Sequence, residues 1–408
     1  MGAAGVSGSD LRGADVIMKL TRNAARRVAA AAITCTAILV PVAVASAGSA
    51  ATTGSRASGG WRAHPVTAYV VNSYSGTVTP IQTATNKAGQ GLNVAKYPYA
   101  IAITPNGKTA YVTNTLLNTV TPIQTATRTV GKAITVGEGA QVIAITPNGK
   151  TAYVLNIGSG TVTPISTATN KAGKAINVGS VPWAIAITPN GKTVYVVNNG
   201  SGTVTPISTA TNKAGKPITV GIAPGAITIT PNGRTAYVLN GRGTVTPIRI
   251  ATNKALKAIK IPYSTTFAPS GVPGQTLIAS TPNGKTVYVA SQDPGTVTPI
   301  WTATNTAGKA ISVGMDPFGI AITPNGKTVY VASQDPGTVT PIWTATNKAG
   351  KAISVGNLPW AIAITPNGRT AYVVNNGSNT VTPISTVTNK AGTAISVGLA
   401  PVSIAITP

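Results

Sequence analysis

Asp293, Asp316 and Asp335 are the residues of this sequence that come nearest to a chemical site, because hard cations such as calcium are held by several carboxylate oxygens at once. Asp293 and Asp335, however, stand in two copies of one segment, SQDPGTVTPIWTATN, so their recurrence follows first from duplication. Beyond them the equipment of catalysis is sparse. His64 is the only imidazole and Cys35 the only thiol, and the chain has 6 Asp+Glu against 31 Lys+Arg. No recurring Asp/Glu/His set could hold a metal or pair a nucleophile with a base. The expectation is therefore no catalytic residue, no metal and no cofactor.

The cations are a different matter, because they recur. Lys108, Lys150, Lys192, Arg234, Lys285, Lys327 and Arg369 each close a TPNG[K/R] element. A second series lies in the third turn, directly after Thr-Asn except at Arg128, which replaces the Asn itself: Lys87, Arg128, Lys171, Lys213, Lys254, Lys348 and Lys390. Six more lie just beyond it, at Lys132, Lys174, Lys216, Lys257, Lys309 and Lys351. Positive charge repeated at fixed spacing can hold an anionic polymer by focused potential, provided the fold brings the series together. A solubilising surface lysine multiplied by a repeat would leave the same record.

The elements that must position these residues are strands. With 44 Gly and 30 Pro in 408 residues, long amphipathic helices have no room, and the apolar content is Val, Ile, Ala and Thr-flanked Tyr. From residue 63 one unit is copied eight times: the Pro of TPNG falls at 105, 147, 189, 231, 282, 324 and 366, and the last copy breaks off at Pro408. Each unit holds four short apolar runs. The first (IAIT) ends in Asn-Gly, the strongest short hairpin signal, since both residues tolerate positive φ. TVYVVN, TVTPIST and KPITVG are the other three in the unit around Ile185. Four antiparallel strands in about 40 residues describe a propeller blade. The chain begins at a second strand and ends at a lone first strand, so the termini complete one blade between them and close the ring. Eight blades are expected, in an all-β propeller spanning 63–408 with an insertion near 261–275. A Pro in every third strand (Pro80, Pro122, Pro164, Pro206, Pro247, Pro299, Pro341, Pro383) predicts a bulge or a broken ladder there.

Three runs, Tyr111-Val112-Thr113-Asn114, Ile101-Ala102-Ile103-Thr104-Pro105-Asn106-Gly107 and Asn170-Lys171-Ala172, resemble the YVTN-family β-propeller repeat, and the resemblance extends over 63–408. It implies an exported, surface-layer-like propeller. Family members are usually seven-bladed, which makes seven the alternative count. The Asp that commonly follows the third-strand Ile in that family is here Gln82, Gln124, Ser166, Ser208, Arg249, Trp301, Trp343 or Ser385. Propellers resembling this one include lactonases and lyases, whose acidic or His ligands have no counterpart at matching positions.

Because blade strands alternate in direction, the first and third turns emerge on one face, and the second turn and the link to the next blade on the other. Twenty of the 26 cations beyond residue 47 then share a face, while Glu138, Asp293, Asp316 and Asp335 fall on the opposite one. The basic face is expected to carry no aromatics, so nucleic acid would bind there only without sequence preference. On the opposite face, the residue two before each first-strand Ile varies around the ring: Tyr99, Gln141, Trp183, Gly225, Thr276, Phe318, Trp360 and Val402. Tyr99, Trp183, Phe318 and Trp360 are thus candidates for a ligand surface at the channel mouth, with hydrophobic capping as the plainer reading.

The N-terminus reads as a signal peptide over 1–47, with basic residues, an apolar stretch at 28–44 and a small-residue ending. A Ser/Gly/Ala-rich tether over 48–62 follows. The expectation is a secreted or cell-surface binding or structural module with no transmembrane segment in the mature chain. Its partners would be cell-wall or other anionic polymers, or a protein. A hydrolase or lyase on the aromatic-lined face is the alternative.

Overall fold

A computed structural model describes residues 65–262 and 277–408. The expected signal segment, the tether, His64, Cys35 and most of the insertion near 261–275 lie outside the described residues.

Eight antiparallel sheets succeed one another around a ring. In one blade the inner strand is Pro182–Ile187, the second Thr193–Asn198, the third Thr203–Ser208, and the outer strand comes as two pieces, Lys213–Ala214 and Ile218–Thr219. The ring is closed as the half-units at the two ends of the repeat predict. Pro401–Ile406 pairs antiparallel with Thr67–Asn72, with Val70 opposite Ile404. The backbone N–H of Thr407 donates to the Thr67 carbonyl at 3.0 Å, and that of Ser73 to Ala400 at 2.9 Å. Pairing the first and last strands leaves no open blade in the ring.

The apolar core lies in the seams between blades. In the second strand Thr151–Asn156, Tyr153 and Leu155 pack with Ile185, Val194 and Val196 of the following blade, whereas Ala152 and Val154 pack with Ile101 and Val112 of the preceding one. Side chains of a strand alternate between faces, and here both faces meet a neighbouring sheet. That is why these strands read as near-continuous apolar runs.

The third-strand prolines break one ladder and leave the other whole. Pro206 stands opposite Tyr195 in an unshifted register with the second strand. Its carbonyl accepts from the Gly215 N–H at 2.7 Å on the outer side. A strand residue points its N and C=O the same way, so the imide nitrogen, which has no proton to donate, also faces outward. The outer strand therefore splits at that level in every blade.

Neighbouring blades are tied by a ring of tyrosines. Tyr69, Tyr111, Tyr153, Tyr195, Tyr237, Tyr288, Tyr330 and Tyr372 are fully buried. Each hydroxyl reaches the turn after the third strand of the following blade. Tyr153 donates to Asn212 Oδ1 at 2.6 Å, and Tyr372 to Asn86 Oδ1 at 2.5 Å across the closure. The acceptor asparagines sit in the left-handed region, Asn86 at φ 55° and Asn212 at φ 53°, a conformation Asn tolerates better than most residues. Tyr69 meets Arg128 in place of Asn and donates instead to the Thr125 carbonyl at 2.9 Å.

Candidate functional site: a basic face and an apolar face

The first turns are built by their own side chains. Thr188 Oγ1 donates to Asn190 Oδ1 at 2.7 Å, and the same oxygen accepts the backbone N–H of Lys192 at 3.0 Å. The Gly191 φ of 69° completes the turn. The cationic side chain is left exposed at Lys108, Lys150, Lys192, Arg234, Lys285, Lys327 and Arg369 alike.

Hydrogen bonds place the two cation series side by side. In seven of the eight blades the residue after the third strand donates its backbone N–H to the carbonyl of the first-turn cation in the same blade, and in the closing blade Thr83 donates to Val66. The seven bonds are Thr125 to Lys108, Thr167 to Lys150, Thr209 to Lys192, Ile250 to Arg234, Thr302 to Lys285, Thr344 to Lys327 and Thr386 to Arg369, all between 3.0 and 3.1 Å. Lys171 and Lys213 follow within a few residues, exposed at the start of the outer strands. The first and third turns thus form one rim, as strand direction requires. Among the described residues its cations carry the basic excess, while Glu138 and Asp293 belong to a link and a second turn, and Asp316 and Asp335 to the adjoining strand ends.

One expectation about this face needs correction, because it does carry aromatics. Trp301 and Trp343 end the third strands of two adjacent blades and are 37% and 41% exposed. In the sequence they stand out only as departures from the Asp common at that place in the resembled family. A third strand delivers its last residue to the same rim as the turn that follows it, and that signal was available in the sequence.

The opposite face is apolar. Tyr97, Val181, Ile222, Met315, Leu358 and Leu399 are exposed in the links. Three of them, Tyr97, Val181 and Leu358, stand at φ 54°, 48° and 49° immediately before a proline. Bulky residues seldom adopt that region, and a following proline restricts them further. Just beyond each link the inner strand is bulged in six blades, with register shifts at Pro98/Ile101, Ala140/Val142, Pro182/Ala184, Pro317/Gly319, Pro359/Ala361 and opposite Val71/Asn72. The bulged position is the one whose identity varies around the ring, and bulges re-aim side chains in this way. Tyr99, Phe318 and Trp360 are only 5–6% exposed there. Phe318 and Trp360 stack at 4.7 Å between ring centroids, tilted by 49°. Trp183 is half-buried. The structure thus brings two of the four candidates into contact and leaves Trp183 the most accessible.

Asp293, Asp316 and Asp335 do come together. Although Asp316 is exposed overall, partial desolvation and the neighbouring charges of Asp335 and Asp293 raise its carboxyl above its ordinary value. Among the described residues no group of three or more His, Cys, Asp or Glu is arranged to hold a metal ion, and no helix is long and apolar enough to cross a membrane.

Comparison with solved structures agrees with this architecture. The chain is similar to hydrazine synthase of Kuenenia stuttgartiensis, at 23% identity and a TM-score of 0.57 over 71% of this chain and 95% of that one. It is also similar to the dihydro-heme d1 dehydrogenase NirN in complex with DHE, at 11% identity and a TM-score of 0.68 over 83% and 74%. AztD from Citrobacter koseri matches at 13% identity and a TM-score of 0.62 over 84% and 97%. What they share with this chain is the fold. No protein-family model and no curated protein sequence matches it. The propeller itself hosts many functions, so the site must be argued from its residues.

Proposed function

We propose that the protein is an exported, non-enzymatic propeller of the YVTN-like kind whose lysine-rich face holds an anionic polymer at the cell surface. The observation that supports this reading most is the bond, in seven of the eight blades, from the third turn to the carbonyl of the first-turn cation, as in Thr209 to Lys192, which merges two series of cations into one rim. Twenty-four cations and four acids fall in the described residues, and the acids occupy the other face. The field of that rim concentrates polyanions and weakens as salt screens it. Retention on an immobilised polyanion that falls steeply with salt is the expected result. Retention unaffected by high salt contradicts the proposal.

A second reading, a hydrolase or lyase on the apolar face, has the convergence of Asp293, Asp316 and Asp335 in its favour. It requires a melting temperature that responds to divalent metal. Without that response the three carboxylates are a repulsive cluster and nothing more.

A further inference from the structure

We infer that Trp301 and Trp343 form a two-shelf platform for the sugar rings of an acidic polysaccharide, an assignment that rests on the polyanion reading above and narrows it to one ligand class and one sector of the ring. Six blades end the third strand in Gln82, Gln124, Ser166, Ser208, Arg249 or Ser385, and only these two adjacent blades end it in Trp. Each indole is backed by the outer strand. A Cβ placed on Gly350 would clash with Trp343 Cη2 and lie 3.1 Å from Pro341 Cγ, and one on Gly308 would lie 3.3 Å from Trp301 Cζ2. The absence of side chains at these glycines lets the rings rest against the strand with their other surface in solvent, 37% and 41% exposed. A supported aromatic face loses little freedom on contact with a flat, apolar ring surface.

The first-turn cations run beside both shelves, although the residue opposite Trp301 is Thr306. Thr302 and Thr344, next in the chain after the tryptophans, donate their N–H groups to the carbonyls of Lys285 and Lys327, each at 3.0 Å. Lys348 stands directly opposite Trp343 in the register of the outer strand. The separation of the shelves is fixed by the core. Tyr288, in the Trp301 blade, donates to Asn347 Oδ1 at 2.6 Å, and Asn347 donates its own N–H to the Trp343 carbonyl at 2.8 Å.

Packed sheets lie about 10 Å apart, and equivalent residues of neighbouring blades are at least that far from each other. Successive nucleotides of a stacked strand advance only about 3.4 Å. Two shelves so spaced cannot pair with successive bases, but they suit a stiff chain of sugar rings that presents an apolar ring face at intervals and carboxylates between.

The test uses the full chain and the variant W301Q/W343S, which installs residues that other blades already carry at this position. Binding is measured to an oligogalacturonate, to a polyphosphate of matched charge and to oligo(dT). The inference expects the variant to bind oligogalacturonate at least tenfold more weakly and polyphosphate within twofold of the native protein, with tryptophan emission of the native protein changed by oligogalacturonate alone. Equal losses on oligogalacturonate and polyphosphate, or no loss on either, overturn it. A loss confined to oligo(dT) assigns the shelves to nucleic acid and also overturns it. Failure of the native protein to bind any of the three defeats the polyanion reading itself.

Discussion

Tyr237 donates its hydroxyl to Asn305 Oδ1 at 2.6 Å although the two are 68 residues apart, where the equivalent Tyr153–Asn212 and Tyr288–Asn347 pairs are 59 apart. The extra chain belongs to the insertion between them. The inter-blade bond forms regardless, so the extra length leaves this tie intact, while the inner strand that follows is only Ile278–Ser280. Tyr237→Phe removes this donor and leaves a part-buried acceptor without it, and a loss of about 1 kcal/mol is expected in denaturant unfolding. The same change at Tyr330, two blades further round the ring and bonded to Asn389, should add nearly independently.

The tyrosine ring sets an alkaline limit. Burial pushes Tyr153, Tyr195, Tyr237, Tyr288, Tyr330 and Tyr372 up from 10.0 to about 12. A group whose proton is held more tightly in the folded state contributes stability that is intact below its unfolded value and lost as pH rises through its folded one. Stability should hold to about pH 10 and fall between about pH 10 and 12. Spectroscopic titration should show these phenols ionising together with the loss of β-sheet signal, and ionisation without unfolding would contradict their burial.

Asp316 works in the acid range with the same sign. Its carboxyl is raised by partial desolvation and by the charges of Asp335 and Asp293, so protonating it relieves repulsion in the fold. Asp316→Asn should raise the melting temperature at pH 7. The gain should shrink as pH falls through the raised carboxyl value and vanish below the ordinary aspartate value of 3.8. A variant no more stable than the native chain at pH 7 would show that the three carboxylates do not repel.

Ring closure depends on a single strand from the C-terminus. Ending the chain at Gly398 removes Pro401–Ile406, the partner of Thr67–Asn72, and opens seams that bury Val402, Ile404 and Ala405. Each large apolar side chain lost from such a seam costs about 2–5 kcal/mol. The truncated protein should melt well below the native one and self-associate through the exposed strand edge. An unchanged melting temperature would mean that the closing blade is dispensable.

Much of this architecture is legible in the residues. The TPNG spacing and the half-units at 67–72 and 401–406 define eight closed blades, and strand direction assigns Lys192 and Lys213 to one rim before any coordinate is known. What is hidden depends on orientation in three dimensions. The split outer strand follows from the outward imide nitrogen of residues such as Pro206, and the repeat alone does not say which way it points. The Tyr–Asn ties join residues 59 apart in different blades, and period-two patterning carries no trace of them. Trp301 and Trp343 were visible by position, but a face defined by turn residues alone leaves out the strand ends that feed it.

The central claim is that one rim of this ring binds polyanions through its repeated cations. Its most direct test is the salt dependence of polyphosphate binding by the native chain and by K108Q/K150Q/K192Q, three substitutions at exposed turn positions in consecutive blades. Affinity is expected to fall roughly tenfold for every two ion pairs formed as salt rises from about 50 to about 200 mM, with a shallower slope in the variant. Identical slopes for the two proteins, or binding indifferent to salt, would contradict it.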